Sequence, residues 1–117
     1  MTDPTQNLFH DIPADLPEED MRDLLSRPGV RIERIVSKGH VTPEGEWYDQ
    51  EQGEWVMVVQ GAARVLIDGE ADERALGPGD HLYLAPHVRH RVTWTDPDAE
   101  TIWLAVFLDD ASSRQSS

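Results

Sequence analysis

From residue 30 onward, the sequence alternates short runs of β-branched and aromatic residues with turn-forming residues. Seven strands are predicted, at residues 30–37, 54–60, 62–68, 71–76, 81–84, 89–94 and 101–108. Asp68-Gly69 is typical of a tight hairpin turn, and residues 77–80 and 95–98 are further turn sequences. This many short strands joined by regular turns predict an all-β sandwich or barrel.

A short helix is predicted ahead of the strands, over residues 17–26, with Asp15 as its N-cap. Its apolar residues recur at helical spacing: Met21, Leu24 and Leu25. The Pro28-Gly29 dipeptide is interpreted as the signal that ends it. We therefore expect an N-terminal segment at 1–29 whose helix packs on a barrel at 30–110, followed by a disordered tail at 111–117.

Composition limits the classes of function. A chain of 117 residues is long enough for one domain with a real core. Its 23 acidic residues against 10 basic ones give a net charge of -13, which disfavours binding to nucleic acid. Cysteine is absent, so disulfides and thiolate metal sites are excluded. Because neither a signal-peptide pattern nor a membrane-spanning apolar run is visible, we expect no membrane partner and a cytoplasmic location.

Strand parity singles out two polar residues on apolar faces. Glu54 shares the face of Val56 and Val58, because side chains two residues apart in a strand point the same way. In a later strand, His90 shares the parity of Val92 and Trp94. An inward carboxylate and an inward imidazole each need a partner, since burying either one alone is costly. The two side chains are expected to satisfy each other, to bind a metal or to hold a ligand.

Two spaced motifs resemble those of the small single-domain cupins. Glu54 and Gly61 match the Glu and Gly of the first motif, while Tyr48 and Gln50 stand where that motif has two histidines. His90 falls at the histidine of the second motif. The resemblance implies a cupin double-stranded β-helix, a jelly-roll-like barrel, with the two motifs on facing strands. It covers about residues 30–108.

The resemblance implies a small organic molecule as the partner and a divalent metal ion (Fe, Mn, Ni or Zn) in the barrel. Gln50, Glu54 and His90 would be the metal ligands, with His87 as a further one. Two alternatives stay open. In metal-independent acid–base chemistry of the isomerase or epimerase type, His90 would be the base, Glu54 its orienting partner and Tyr48 a proton donor. In a ligand-binding or sensing barrel without catalysis, Glu54 and His90 would only satisfy each other. Whether the chain is an enzyme is left open.

A second apolar face is predicted opposite the cavity, formed by Trp55, Met57 and Val59. Either the helix at 17–26 covers this face or a second copy of the chain does, and the resemblance to cupins, many of which are dimers, favours the second copy. We therefore expect a homodimer.

Overall fold

The computed structural model describes residues 4–109, which form eight β-strands in two antiparallel sheets. The strands are β1 (Asp20–Arg27), β2 (Val30–Ser37), β3 (Gly53–Gln60), β4 (Ala63–Ile67), β5 (Arg74–Leu76), β6 (His81–Leu84), β7 (His90–Thr95) and β8 (Thr101–Leu108). The larger sheet has the order β1-β2-β8-β3-β6, and the smaller sheet has the order β5-β4-β7. The all-β prediction is confirmed, and the predicted tail at 111–117 lies outside the described residues.

The core lies between the two sheets. Alternate residues of β3 and β8 pair across the larger sheet, with Val56 opposite Ala105 and Val58 opposite Trp103. These side chains pack in one buried cluster with Val65 of the smaller sheet. Successive side chains of a strand point to opposite faces of the sheet, so alternate residues face the core and parity in the sequence indicates the inner face.

The predicted helix at 17–26 is wrong, because this segment forms β1 and pairs antiparallel with β2. Pro28 and Gly29 connect the paired residues Arg27 and Val30, and Gly29 has φ 84°, as a two-residue hairpin turn with Gly in second place requires. A bulge between Asp23 and Leu25 disturbs the alternation of apolar residues. Pairing with an existing strand therefore outweighs the weak propensity of a short helix.

Arg34 of β2 attaches the segment that precedes β1 to the larger sheet. Its guanidinium is buried and donates to the carbonyl oxygens of Leu8, His10 and Asp11, and it lies 3.5 Å from an Asp20 carboxylate oxygen. Arg31, Glu33 and Ile35 have the opposite parity in β2 and point toward the space between the sheets. Residues 8–11 thus pack on the outer face of the larger sheet at β2.

Within residues 4–109 there is no helix, and therefore none that is long and apolar enough to cross a membrane. The cytoplasmic location stays a prediction.

Candidate functional site

A cavity of about 210 Å³ lies between the sheets. Most of its wall is apolar. The polar and charged lining residues are Glu19, Arg31, Glu33, Tyr48, Gln50, Glu54 and His90. Its volume is smaller than the roughly 300–1,000 Å³ of pockets for drug-sized ligands, so it suits a small molecule.

Glu54 and His90 meet across this cavity from different sheets. Glu54 lies near the start of β3 and His90 begins β7, and their exposed fractions are 7% and 6%. The Nε2 atom of His90 lies 3.6 Å from Oε1 of Glu54, which is within ion-pair distance but longer than a hydrogen bond. The inward parity predicted for both residues is thereby matched in the fold.

The tautomer of His90 follows from its second ring nitrogen. Nδ1 lies 3.0 Å from the carbonyl oxygen of Val88, and because a carbonyl can only accept, Nδ1 carries the hydrogen. In the neutral ring, Nε2 then holds the lone pair and faces the cavity side. Burial opposes the charged ring, but the Glu54 carboxylate and the Val88 carbonyl outweigh it and raise the pKa of His90 above its ordinary value. The imidazole is therefore prepared to accept and keep a proton.

Gln50 contacts the same carboxylate oxygen. Its amide Nε2 donates to Oε1 of Glu54 over 3.0 Å, and the amide must present its NH₂ there because a carboxylate only accepts. The backbone carbonyl of Gln50 accepts from the N–H of His87. Gln50 thus fixes the orientation of Glu54 and connects the loop before β3 to the turn before β7.

Tyr48 is attached to His90 through both backbone and ring. Each residue's N–H donates to the other's carbonyl oxygen, at 2.8 and 3.1 Å, and the rings stack with centroids 5.5 Å apart. Burial, together with the negative charge of Glu19, raises the pKa of the Tyr48 phenol above its ordinary value. The phenol therefore stays protonated near neutral pH and can donate a hydrogen bond.

His87 lies apart from the other predicted site residues. Its side chain is 65% exposed, its Nδ1 lies 2.8 Å from an Asp49 carboxylate oxygen, and it does not line the cavity. Its φ of 64° belongs to the turn that leads into β7. The structure therefore brings together Tyr48, Gln50, Glu54 and His90, and it leaves His87 on the surface.

The predicted parity of Trp94 with His90 is wrong. Arg64 pairs with Trp94 while the next residue, Val65, pairs with Val92, so Thr93 is an extra residue in β7. Because of this bulge, Trp94 does not line the cavity. Its ring instead lies beside Arg64, whose guanidinium is 5.2 Å from the ring centroid. Sequence parity cannot detect a bulge that only the pairing partner reveals.

Three charged residues of the lining were not predicted: Glu19, Arg31 and Glu33. The parity of β2 carries a signal for two of them, because Arg31 and Glu33 alternate with Val30 and Ile32. Arg31 Nε donates to Glu33 over 3.1 Å, and its guanidinium lies 4.3 Å from the centroid of the Phe107 ring. Burial raises the pKa of Glu33 even though the Arg31 cation opposes that effect.

The expected metal ligands do not form a preformed metal site. Among residues 4–109, no group of three or more His, Asp or Glu side chains is arranged to hold an ion. Gln50 directs an amide NH₂, which is not a metal ligand, at the carboxylate, and His87 faces a different partner. Glu54 and His90 are left as the two ordinary ligand types, and protein metal sites usually supply three or four.

Comparison with known proteins connects this geometry to a family. The sequence model of a protein family, the cupin domain, matches residues 34–107. No curated protein matches the chain. A crystal structure from Ralstonia eutropha, of a protein provisionally named mannose-6-phosphate isomerase, shares 47% identity over 92% of this chain and 100% of that one, with a TM-score of 0.89.

Two more distant structures are similar in fold alone. A conserved protein of unknown function from Streptococcus pyogenes is 15% identical over 94% of this chain and 90% of its own, with a TM-score of 0.72. A cupin 2 conserved barrel domain protein from Salinispora arenicola is 23% identical over 83% of this chain and 81% of its own, with a TM-score of 0.63.

Proposed function

The chain belongs to the cupin family, and on that premise we propose that it is an isomerase of small hydroxy-carbonyl compounds. His90 is the base that moves a proton between neighbouring carbon atoms, and Glu54 is its charged partner. The observation that carries the proposal is the buried contact of 3.6 Å between His90 Nε2 and Glu54 Oε1 at the cavity wall. Titratable pairs with a shifted pKa in a cleft are typical of active sites.

The proposed reaction assigns a task to each residue. Neutral His90 removes the proton from the carbon next to the carbonyl, and the C–H electron pair forms an enediolate. Glu54 stabilises the imidazolium that results, while the protonated phenol of Tyr48 donates a hydrogen bond to the oxygen on which charge develops. The hydroxyl proton moves from one enediolate oxygen to the other, and His90 returns its proton to the neighbouring carbon. No atom is gained or lost.

The family relative supports the reaction class. The Ralstonia eutropha protein is provisionally named an isomerase of a sugar phosphate, and it matches the present chain over nearly its whole length. An aldose–ketose interconversion is a proton transfer next to a carbonyl, which the pair of Glu54 and His90 is suited to perform.

Deuterium incorporation tests this proposal without a coupled assay. Aldoses and ketoses of three to six carbons, with and without a phosphate group, are incubated with the protein in D₂O and followed by proton NMR. With at least one compound, we expect loss of the signal from the hydrogen next to the carbonyl. In Glu54→Gln, the rate of this exchange should decrease by at least about 100-fold. No exchange with any compound would contradict the proposal and favour a barrel that only binds or senses a ligand.

The second candidate is a divalent metal site, with Fe, Mn, Ni or Zn held by Gln50, Glu54 and His90. The side chains of Gln50 and His90 both lie next to one carboxylate oxygen of Glu54, which supports it, although the amide of Gln50 would have to turn its oxygen inward. Elemental analysis of tag-free protein, before and after dialysis with each ion, tests it beside a Glu54→Ala, His90→Ala double variant. A near-stoichiometric ion in the wild type that the variant loses establishes the site, and equal traces in both reject it.

A further inference from the structure

The charged side chains that line the cavity are mostly negative. The carboxylates of Glu19, Glu33 and Glu54 line it, while Arg31 supplies the guanidinium. Arg31 already donates to Glu33 over 3.1 Å, so its positive charge is largely neutralised where it stands. His90 is in turn opposed by Glu54. Even with His90 protonated, one lining carboxylate has no cation among residues 4–109 to balance it.

The unbalanced carboxylate belongs to Glu19, and it is held in place. The Ser37 hydroxyl donates to Glu19, and Ser37 in turn accepts a hydrogen bond of 3.2 Å from the indole N–H of Trp103. Ser37 is fully buried and Trp103 is nearly so. Because this chain of hydrogen bonds fixes the carboxylate at the cavity wall, a ligand cannot easily displace it.

Three of the N–H donors around the cavity are already engaged. The amide NH₂ of Gln50 faces Glu54, and the Nδ1 hydrogen of His90 faces Val88. The Arg31 guanidinium is shared with Glu33 and stacked on Phe107. A phosphate monoester carries a charge of about -1.5 to -2 at neutral pH and is bound by clusters of cations or free N–H groups. Among residues 4–109, the lining supplies one guanidinium, which already faces Glu33, and no cluster of cations.

The negative charge around the cavity also acts on Tyr48. The charges of Glu19 and Glu54 contribute to the raised pKa of Tyr48, after the effect of burial. The whole chain adds a net charge of -13, which repels an approaching anion.

From these contacts we propose that the substrate carries no negative charge. The cavity takes an uncharged hydroxy-carbonyl compound, such as an unphosphorylated sugar, and rejects the phosphate ester of the same compound. The inference rests on the proposed isomerase function for the substrate class, but the charge preference follows from the lining itself. The proposed substrate therefore differs from the phosphorylated one that appears in the provisional name of the Ralstonia eutropha relative.

Binding and exchange are measured together on matched pairs, namely mannose with mannose 6-phosphate and glucose with glucose 6-phosphate. Saturation-transfer NMR gives the affinities, and deuterium incorporation gives turnover. We expect the uncharged member of at least one pair to bind at least tenfold more tightly than its phosphate. In a Glu19→Gln, Glu33→Gln double variant, the ratio of the two affinities, uncharged sugar to phosphate, should decrease at least threefold.

The matched control is Glu44→Gln, Glu51→Gln, which removes the same charge from two exposed positions outside the cavity lining. It should leave the ratio within a factor of two, and thermal unfolding of both double variants verifies that they fold. If the control narrows the ratio as much as the cavity variant, the overall field explains the preference and the lining does not, which overturns the proposal.

The outcomes also separate the two proposals. An uncharged sugar that binds at least tenfold more tightly than its phosphate, with no exchange of any compound, supports the charge preference and contradicts the isomerase. Exchange restricted to a phosphate, with its binding lost in Arg31→Gln, supports the isomerase and overturns the charge preference. Absence of binding by every sugar tested overturns both.

Discussion

Tyr48 and His90 form a β-bridge, with each backbone N–H donating to the other's carbonyl oxygen and with their rings stacked at 5.5 Å. Tyr48 belongs to the loop between β2 and β3, whereas His90 is the first residue of β7. The bridge therefore fastens the loop that carries Gln50 to the strand that carries the base. A site whose members lie far apart in sequence acquires a fixed geometry in this way.

The first prediction concerns stability and pH. Because the folded pKa of His90 is raised, its contribution to the free energy of unfolding is fully present below its unfolded pKa of about 6.5 and is lost as pH rises through the folded pKa. The wild type should therefore lose more stability than His90→Gln between pH 5.5 and pH 8.5. Urea unfolding at both pH values measures this difference. A larger loss in the variant would contradict the direction of the shift.

Arg34 is predicted to hold the N-terminal segment in place. Arg34→Met removes the buried donors of the Leu8, His10 and Asp11 carbonyls, and it should reduce the free energy of unfolding by about 3 kcal/mol. Limited proteolysis should then cleave within residues 8–11 faster than in the wild type. Arg22→Met is the control, because its ion pair with Asp11 is exposed and worth less than about 1 kcal/mol. Equal effects of the two substitutions would show that burial of Arg34 is unimportant.

Gly61 is predicted to tolerate no side chain. Its φ is 95°, and a Cβ atom there would lie 2.7 Å from the Cα of Thr101 and 2.8 Å from the carbonyl oxygen of Glu100. Gly45 has a similar φ of 84° but open space around it. Gly45→Ala should therefore cost only about 1 kcal/mol for backbone strain, and Gly61→Ala at least about 2 kcal/mol more. Thermal unfolding of the two variants compares them, and similar costs would indicate that backbone around Gly61 can shift.

The homodimer predicted from sequence stays a prediction, and the outer face of β3 gives it a specific test. Trp55, Met57 and Val59 are half-buried there, beside the exposed Tyr83 of β6. We expect size-exclusion chromatography with light scattering to give a dimer mass, and Met57→Glu to give a monomer. Val41→Glu, at an exposed apolar residue beside the smaller sheet, should remain dimeric. A wild-type monomer would rule out this interface.

Local patterns predicted seven of the eight strands and the two inward polar residues, because each depends only on turn residues and period-two alternation. The same patterns fail where long-range pairing decides. Pro28-Gly29 ends a helix or closes a hairpin equally well, and only the neighbouring β2 selects the hairpin. Trp94 does not line the cavity because its strand has a bulge that is defined by pairing with β4. The position of Arg31 beside Phe107 depends on the register of β2 with β8.

The most direct test of the role of His90 compares two variants, His90→Gln and His87→Gln. The quantity measured in each is the rate of deuterium exchange at the carbon next to the substrate carbonyl. Both substitutions replace a histidine near the same turn, but only His90 lines the cavity and faces Glu54. We predict that His87→Gln keeps exchange within a factor of two of the wild type and that His90→Gln loses at least about 100-fold, as expected for removal of a general base. Equal rates in the two variants would contradict the assignment of His90 as the base.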